Sequence, residues 1–76
     1  MDKRNLTLTD RQAKVMQLIR LSISTFGLPP SRRELLDDLE DVTSLSTVQG
    51  HLEALQRKGR IKLLPLARGI IVLPNE

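Results

Sequence analysis

Apolar residues recur at spacings of three and four in the first third of the chain, the period of a helix with one buried face. The segment before them, Thr9-Asp10-Arg11-Gln12, has the order of a capping box, in which the first and last residues satisfy each other's backbone amides. Gly27 and the Pro29-Pro30 pair end the pattern, so we predict a first helix over residues 9–26. Its predicted apolar stripe is Ala13, Met16, Ile19, Ile23 and Phe26, widened by Val15 and Leu18.

The same signals predict two more helices in the middle of the chain. Ser31-Arg32-Arg33-Glu34 is a second capping box and begins a short helix over residues 31–39. After a polar turn, Ser44 can cap a longer helix over residues 44–58, and Gly59 is a suitable left-handed terminator. A short helix, a turn and a longer capped helix have the spacing of a helix-turn-helix. The predicted buried residues are Leu35, Leu36 and Leu39 in the second helix and Val48, Leu52 and Leu55 in the third.

Two short aliphatic runs follow the third helix. Residues 61–64 and 70–73 are rich in Ile, Leu and Val, and the turn-like segment 65–69 separates them, so residues 60–73 are predicted to form a β-hairpin. Residues 1–8 are a polar, basic arm. The predicted fold class is α+β: a single winged helix-turn-helix domain over residues 1–76, made of a three-helix bundle and a C-terminal two-stranded β-hairpin wing.

The amino-acid composition limits which kinds of partner this small domain can bind. There is no cysteine, so neither a disulfide nor a thiolate metal site is available, and the one aromatic residue, Phe26, cannot provide stacking on unpaired bases. The net charge of +3 fits a nucleic-acid partner. No apolar run is long enough for a signal peptide or a membrane span, so we expect no membrane association and a cytoplasmic, nucleoid-associated protein.

The first turns of the third helix carry small polar residues that suit base reading in a DNA major groove. A glutamine pairs with adenine N6 and N7, hydroxyls serve several bases, and a glycine allows close approach. An ordinary solvated helix start is the alternative interpretation of the same residue types. The candidate base-reading residues are Ser44, Ser46, Thr47, Gln49 and Gly50.

Basic residues occur repeatedly where a winged helix reaches phosphates. For each of them alone a solvated surface charge is the favoured interpretation, and their repeated occurrence at these places is what supports phosphate contact. The candidate backbone contacts are Arg11, Arg32, Arg33, Arg57, Lys58 and Arg68. An acidic run beside the predicted turn argues the other way, as a solvated edge or as a docking point for a basic partner protein. It consists of Asp37, Asp38, Glu40 and Asp41.

Nothing in the sequence indicates catalysis or a cofactor. His51 is the only histidine and has no cysteine to join it, so we predict no metal site. Neither a phosphate-binding glycine loop nor a nucleophile–base pair is present, and the adjacent carboxylates Asp37 and Asp38 point apart on a helix. We therefore expect a binding protein and not an enzyme.

Several of these segments, in this order and at nearly this spacing, resemble the N-terminal DNA-binding domain of LexA, the bacterial SOS-response repressor. The matching segments are Leu8-Thr9-Asp10-Arg11-Gln12, Gly27-Leu28-Pro29-Pro30-Ser31-Arg32-Arg33-Glu34-Leu35, Ser46-Thr47-Val48-Gln49-Gly50-His51-Leu52, Leu55-Gln56-Arg57-Lys58-Gly59 and Arg68-Gly69-Ile70. The resemblance implies a winged helix that binds inverted-repeat operators as a dimer and represses transcription. It also implies base reading by the first turns of the third helix, and backbone contacts from Arg68 and the helix starts.

The chain departs from that family at three places. It ends at Glu76, before the self-cleaving, dimerising domain of the family, which fits either an excised domain or a small stand-alone regulator, for instance a phage-borne one. Glu40-Asp41 brings one inserted residue into the turn, and the wing loop is one residue shorter and contains Pro65. The remaining alternative is a winged-helix interaction module that binds a repressor or polymerase subunit instead of DNA.

Overall fold

The computed structural model describes residues 7–74, so residues 1–6 of the predicted basic arm lie outside the described part of the chain. The elements are α1 (Asp10–Phe26), α2 (Arg32–Asp38), α3 (Leu45–Arg57), β1 (Ile61–Leu63) and β2 (Ile70–Val72). This order of three helices and a hairpin confirms the predicted winged helix-turn-helix. None of the described helices is long and apolar enough to cross a membrane.

Both ends of α1 are formed as its sequence predicts. Thr9 Oγ1 accepts from the Gln12 amide, and Gln12 Oε1 accepts from the Thr9 amide, each at 3.1 Å, which confirms the capping box. At the other end Gly27 has a left-handed φ of 76°, and its N–H donates to the carbonyl of Ile23. A side chain at this φ is strained, so the helix ends where glycine permits the reversal.

The predicted apolar stripe of α1 is wrong at two positions. The buried residues are Gln12, Val15, Met16 and Ile19, whereas Ala13 is exposed and Phe26 has 75% of its surface in solvent. The period of a helix gives the direction of its apolar face but not how far along the helix other elements cover that face. Phe26 is the last residue of α1, directly before the Gly27 cap, and it lines an open groove with Leu21 and Leu28 instead of joining the core.

The other two helices are capped by the predicted serines. Ser31 Oγ accepts from the Glu34 amide at 3.1 Å, and the Glu34 carboxylate accepts from the Ser31 amide at 3.0 Å, which completes the second capping box. Ser44 Oγ accepts from the Thr47 amide at the start of α3. The buried core that these helices enclose with the hairpin is Val15, Met16, Ile19, Leu35, Leu39, Val42, Val48, Leu52, Leu55, Ile61 and Ile70.

The wing is an antiparallel pair in which Ile61 faces Val72 and Leu63 faces Ile70. Each strand ends one residue earlier than its aliphatic run, at Leu63 and Val72. Backbone bonds still continue the pairing on both sides, from the Leu64 amide to the Gly69 carbonyl and from the Leu73 amide to the Arg60 carbonyl. Ile61 and Ile70 are buried, and β1 packs against α3. The loop between the strands lies beside α2, where Arg32 Nη1 donates to the Leu66 carbonyl.

Candidate nucleic-acid interface

One face of α3 is exposed along its N-terminal half. Val48, Leu52 and Leu55 are fully buried, and they fix which side of the helix meets the core. Ser46, Gln49, Gly50 and Glu53 follow one another at spacings of three, one and three, so they lie together on the opposite side. Of these only Gln49 is half-buried. We call this side the outer face of α3.

The two other candidate base-reading residues belong to the helix cap. Ser44 Oγ lies 2.9 Å from Thr47 Oγ1 and 3.3 Å from Ser46 Oγ, besides accepting from the Thr47 amide. Three hydroxyls therefore cluster at the N-terminus of α3, where unpaired backbone amides favour a negative group. Such a cluster can donate to a base edge or to a phosphate oxygen.

Gly50 has no internal reason to be glycine. A Cβ built on it meets no atom within 4 Å, and its backbone is helical without a positive φ. Glycine costs about 1 kcal/mol relative to alanine inside a helix. The absence of a side chain at Gly50 lowers the stability of the helix, but it leaves the outer face flat at this point. A flat surface suits the close approach of another molecule.

Gln49 is held by residues of two different helices. Its Oε1 accepts from Arg32 Nε at 2.6 Å, and its Nε2 donates to Glu53 Oε2 at 3.1 Å. Arg32 Nη1 also donates to the carbonyl of Leu66 in the wing loop at 3.2 Å. The half-buried guanidinium of Arg32 thus joins α2, α3 and the wing loop.

Arg68 makes the second connection between the wing loop and α2. Its two terminal nitrogens donate to the two carboxylate oxygens of Glu34 at 2.6 and 2.8 Å, and Nη1 also donates to the Pro29 carbonyl at 3.0 Å. Two hydrogen bonds, the larger effect from Arg68 and the smaller from the Ser31 amide, lower the pKa of Glu34 from 4.5 to about 2. The pairing with Glu34 raises the pKa of Arg68. This bidentate pair was not predicted from the sequence, because its two residues are 34 positions apart and no local pattern indicates their contact.

The remaining predicted cations fall into two groups. Lys58 Nζ donates to Gln12 Oε1 at 2.6 Å and to the Thr7 carbonyl at 3.0 Å, and Arg11 pairs with Asp41 at 2.7 Å. Arg33 and Arg57 are exposed, and their side chains make no hydrogen bond or ion pair with another described residue. Among the predicted backbone contacts, these two guanidiniums are therefore the ones without an internal partner.

The partner of Lys58 was missed at the sequence level, although a signal existed. Gln12 precedes Val15 and Met16 by three and four residues and therefore lies on the buried stripe of α1. A polar side chain on a buried stripe needs hydrogen-bond partners, and a distant lysine is a suitable donor. Glu53 was missed as well, and its signal is the spacing of four residues from Gln49 on one helix face.

The acidic run begins in the last turn of α2 and continues into the turn that follows. Asp37, Asp38 and Glu40 are exposed, and Asp41 pairs with Arg11. Asp37 and Asp38 also line an open groove of about 490 Å³ with the apolar side chains of Leu21, Phe26 and Leu28. No group of three His, Cys, Asp or Glu residues that could hold a metal ion occurs among residues 7–74, and His51 Nε2 is buried without a hydrogen-bond partner there.

A family model and individual known proteins match this chain to the same family. Residues 5–69 match the family model described as the LexA DNA binding domain. The LexA repressor of Tolumonas auensis is 43% identical over 70 residues, which are 91% of this chain and 34% of that protein. The LexA repressor of Haemophilus influenzae strain KW20 is 42% identical over 69 residues, which are 90% of this chain and 33% of that protein. The chain thus spans about a third of the length of the curated relatives it matches.

Proposed function

The chain belongs to the LexA DNA-binding domain family, and on that premise we propose that it is a sequence-specific regulator that represses transcription by occupying an operator in double-stranded DNA. The relatives that it matches are named LexA repressors, and the matched region is about a third of each of them. The protein would then act in the cytoplasm, at the nucleoid. The alternative of an interaction module that does not bind DNA is not favoured by the family match.

The outer face of α3 is the element that we propose for the major groove. Gln49 and the hydroxyls of Ser44, Ser46 and Thr47 offer donors and acceptors for base edges. Arg33 and Arg57 are proposed for the phosphates that flank the groove, because their guanidiniums have no partner among the described residues. Arg11, Arg32, Lys58 and Arg68 already have internal partners, so phosphate contacts from them would compete with those bonds.

Gly50 is the observation that carries this proposal. Apart from His51, whose Nε2 is buried without a hydrogen-bond partner among the described residues, the other positions of α3 belong to the core, to the cap or to a hydrogen bond, or they are solvated. A helical glycine with open space above it destabilises the isolated domain. Close approach of DNA to that point of the helix offsets the cost, since a Cβ there would hold the two surfaces apart.

We also propose that two copies bind an inverted repeat. A single module makes few base contacts, and its affinity comes largely from about 5–8 phosphates, so binding by one copy is weak and falls steeply with salt. Two copies on adjacent half-sites add their contacts and read twice the sequence. No self-cleavage or other catalytic step is part of the proposal.

Selection of bound duplexes from a randomised DNA pool at moderate salt, followed by sequencing, tests the function. Enrichment of an inverted repeat would support operator recognition by two copies, and enrichment of one half-site would support recognition by a monomer. Retention without enrichment contradicts sequence-specific binding. Failure of the pool to bind contradicts a DNA-binding function altogether.

A matched pair of arginine variants tests the proposed orientation. Arg33→Gln removes a proposed phosphate contact and should weaken binding on all sequences while lowering the salt slope by about 1. Arg20→Gln removes the same charge from an exposed site on α1, outside the proposed interface, and should leave the salt slope nearly unchanged. Equal effects of the two variants would contradict this orientation.

A further inference from the structure

The Gln49 side chain is oriented by two neighbours whose chemistry leaves no ambiguity. Arg32 Nε can only donate, so the atom 2.6 Å from it must be the amide oxygen of Gln49. An ionised Glu53 carboxylate can only accept, so the atom 3.1 Å from it must be the amide nitrogen. Rotating the amide by half a turn would set a donor against a donor and an acceptor against an acceptor. The two contacts therefore fix which end of the amide is which.

The contacts leave Gln49 with one free acceptor site and one free donor. A primary amide has two lone pairs on oxygen and two N–H groups, and Arg32 and Glu53 each take one. Adenine presents the complement in the major groove, an N6–H donor beside the N7 acceptor. Guanine presents two acceptors, O6 and N7, so the fixed amide oxygen of Gln49 would oppose an acceptor.

We propose that Arg32, Gln49 and Glu53 form an adenine-reading unit in which Gln49 contacts the base and Arg32 is the positioning residue. This inference rests on the proposed DNA-binding function and adds the base that is read and the residue that sets the choice. Arg32 contributes more than Glu53 to the orientation of the Gln49 amide, because Arg32 is half-buried and donates to the Leu66 carbonyl, whereas Glu53 is exposed. The consequence is specificity at one base pair from a residue that does not touch the base.

The choice between Arg32 and its neighbour Arg33 gives a matched test. Both are arginines in the first turn of α2, and replacement by methionine removes the same charge from the same helix. The Arg33 side chain makes no hydrogen bond or ion pair with a described residue, so Arg33→Met is expected to weaken binding by a similar factor on every sequence. Arg32→Met frees the Gln49 amide, so it should reduce the discrimination between adenine and guanine at one position.

The measurement is the dissociation constant of the full chain for its selected duplex and for the duplex with guanine at the adenine that Gln49 reads. That adenine is the position at which Gln49→Ala removes the preference. We expect wild type and Arg33→Met to favour adenine by about tenfold or more, the range of a bidentate pair. Arg32→Met should bring the ratio below about threefold, and Arg32→Lys, which keeps a positively charged donor at this position, should restore part of it.

A ratio that survives in Arg32→Met, with wild-type helicity by circular dichroism, overturns the inference. So does a wild-type protein that selects an operator without preferring adenine anywhere under Gln49 control, and in that case the proposed function stands. If wild type has no sequence preference at all, both the inference and the proposed function fail. Replacing the adenine by its 7-deaza analogue, which removes the N7 acceptor, should weaken wild type but not Gln49→Ala; equal sensitivity also overturns the inference.

Discussion

The inner and outer faces of α3 belong to the same thirteen-residue helix but are ordered in different ways. On the inner face Val48, Leu52 and Leu55 are fully buried, and their positions follow from close packing against α1, α2 and β1. On the outer face Gln49 is ordered by two polar contacts, one of which comes from α2. Packing is non-directional and redundant, whereas a hydrogen bond depends on one partner.

This difference predicts how each face responds to substitution. A buried side chain of the inner face loses many contacts at once, so its removal is felt as lost stability. Removal of an outer-face side chain leaves the core intact and is felt as lost recognition. The clearest way to test the comparison is to change each face separately and to measure stability and binding on the same variants.

Leu52→Ala should have the largest effect. Leu52 is fully buried, and truncation of a buried leucine costs about 2–5 kcal/mol, which is a large part of the stability of so small a domain. Urea unfolding followed by circular dichroism measures the loss. Ser46→Ala on the outer face is the control and should change stability by less than about 0.5 kcal/mol. A cost for Ser46→Ala close to that of Leu52→Ala would contradict the separation of the two faces.

Gln49→Ala should come next and should act on recognition alone. We expect the loss of about 1–3 kcal/mol of base discrimination at one position with little change in unfolding, because Gln49 lies outside the core. Competition binding with single-base variants of the selected duplex measures it. Arg57→Ala, which removes one of the proposed phosphate contacts, should instead weaken binding about equally on all sequences. The same loss of preference in both variants would contradict this assignment of base and backbone roles.

Gly50→Ala should stabilise the domain and impair its binding. Alanine is favoured by about 1 kcal/mol in a helix, and its Cβ meets no atom within 4 Å here. The same change at Gly59 should destabilise, because Gly59 has a φ of 75°. Thermal unfolding and DNA binding of both variants give the result. Unimpaired binding by a stabilised Gly50→Ala would remove the main support for close approach at this point.

Glu34→Gln should have the smallest effect, and the effect should depend on pH. The folded-state pKa of Glu34 is lowered to about 2 from 4.5, so its pairing with Arg68 stabilises the wing contact above pH 4.5 and is lost as the pH falls toward 2. Glutamine keeps an oxygen for the Ser31 amide but has no charge for Arg68. We expect wild type to melt above the variant at neutral pH. The two melting temperatures should converge in acid, and a gap that persists there would contradict this origin.

The helices were predictable because their signals are local. A capping box joins residues three positions apart, as Thr9 and Gln12 are, and Gly27 directly follows the last residue of α1. Both ends of α1 can therefore be recognised from short segments of the sequence. The buried stripe of α3 has the same local character. The exposed side of the first turns of α3 was predictable too, since it needed only the direction of the buried stripe. Base reading by that side stays a prediction.

The polar contacts of the candidate interface were not predictable in this way. Arg32 and Gln49 are 17 residues apart, Arg68 and Glu34 are 34, and Lys58 and Gln12 are 46. Long side chains on a surface have many rotamers, and which partner they meet depends on how the elements pack. The exposure of Phe26 has the same origin, because it depends on how the other elements cover the last turn of α1 and not on the period of α1.

The exposed ring of Phe26 has a consequence for spectroscopy. The chain has no tryptophan or tyrosine, and its one phenylalanine is 75% exposed, so its core contains no aromatic chromophore. Near-ultraviolet circular dichroism, which reports aromatic groups in fixed surroundings, is therefore nearly silent even when the domain is folded. Folding has to be followed through the amide signal of the helices. A tryptophan placed at position 26 would report on the groove beside α2 and not on the core.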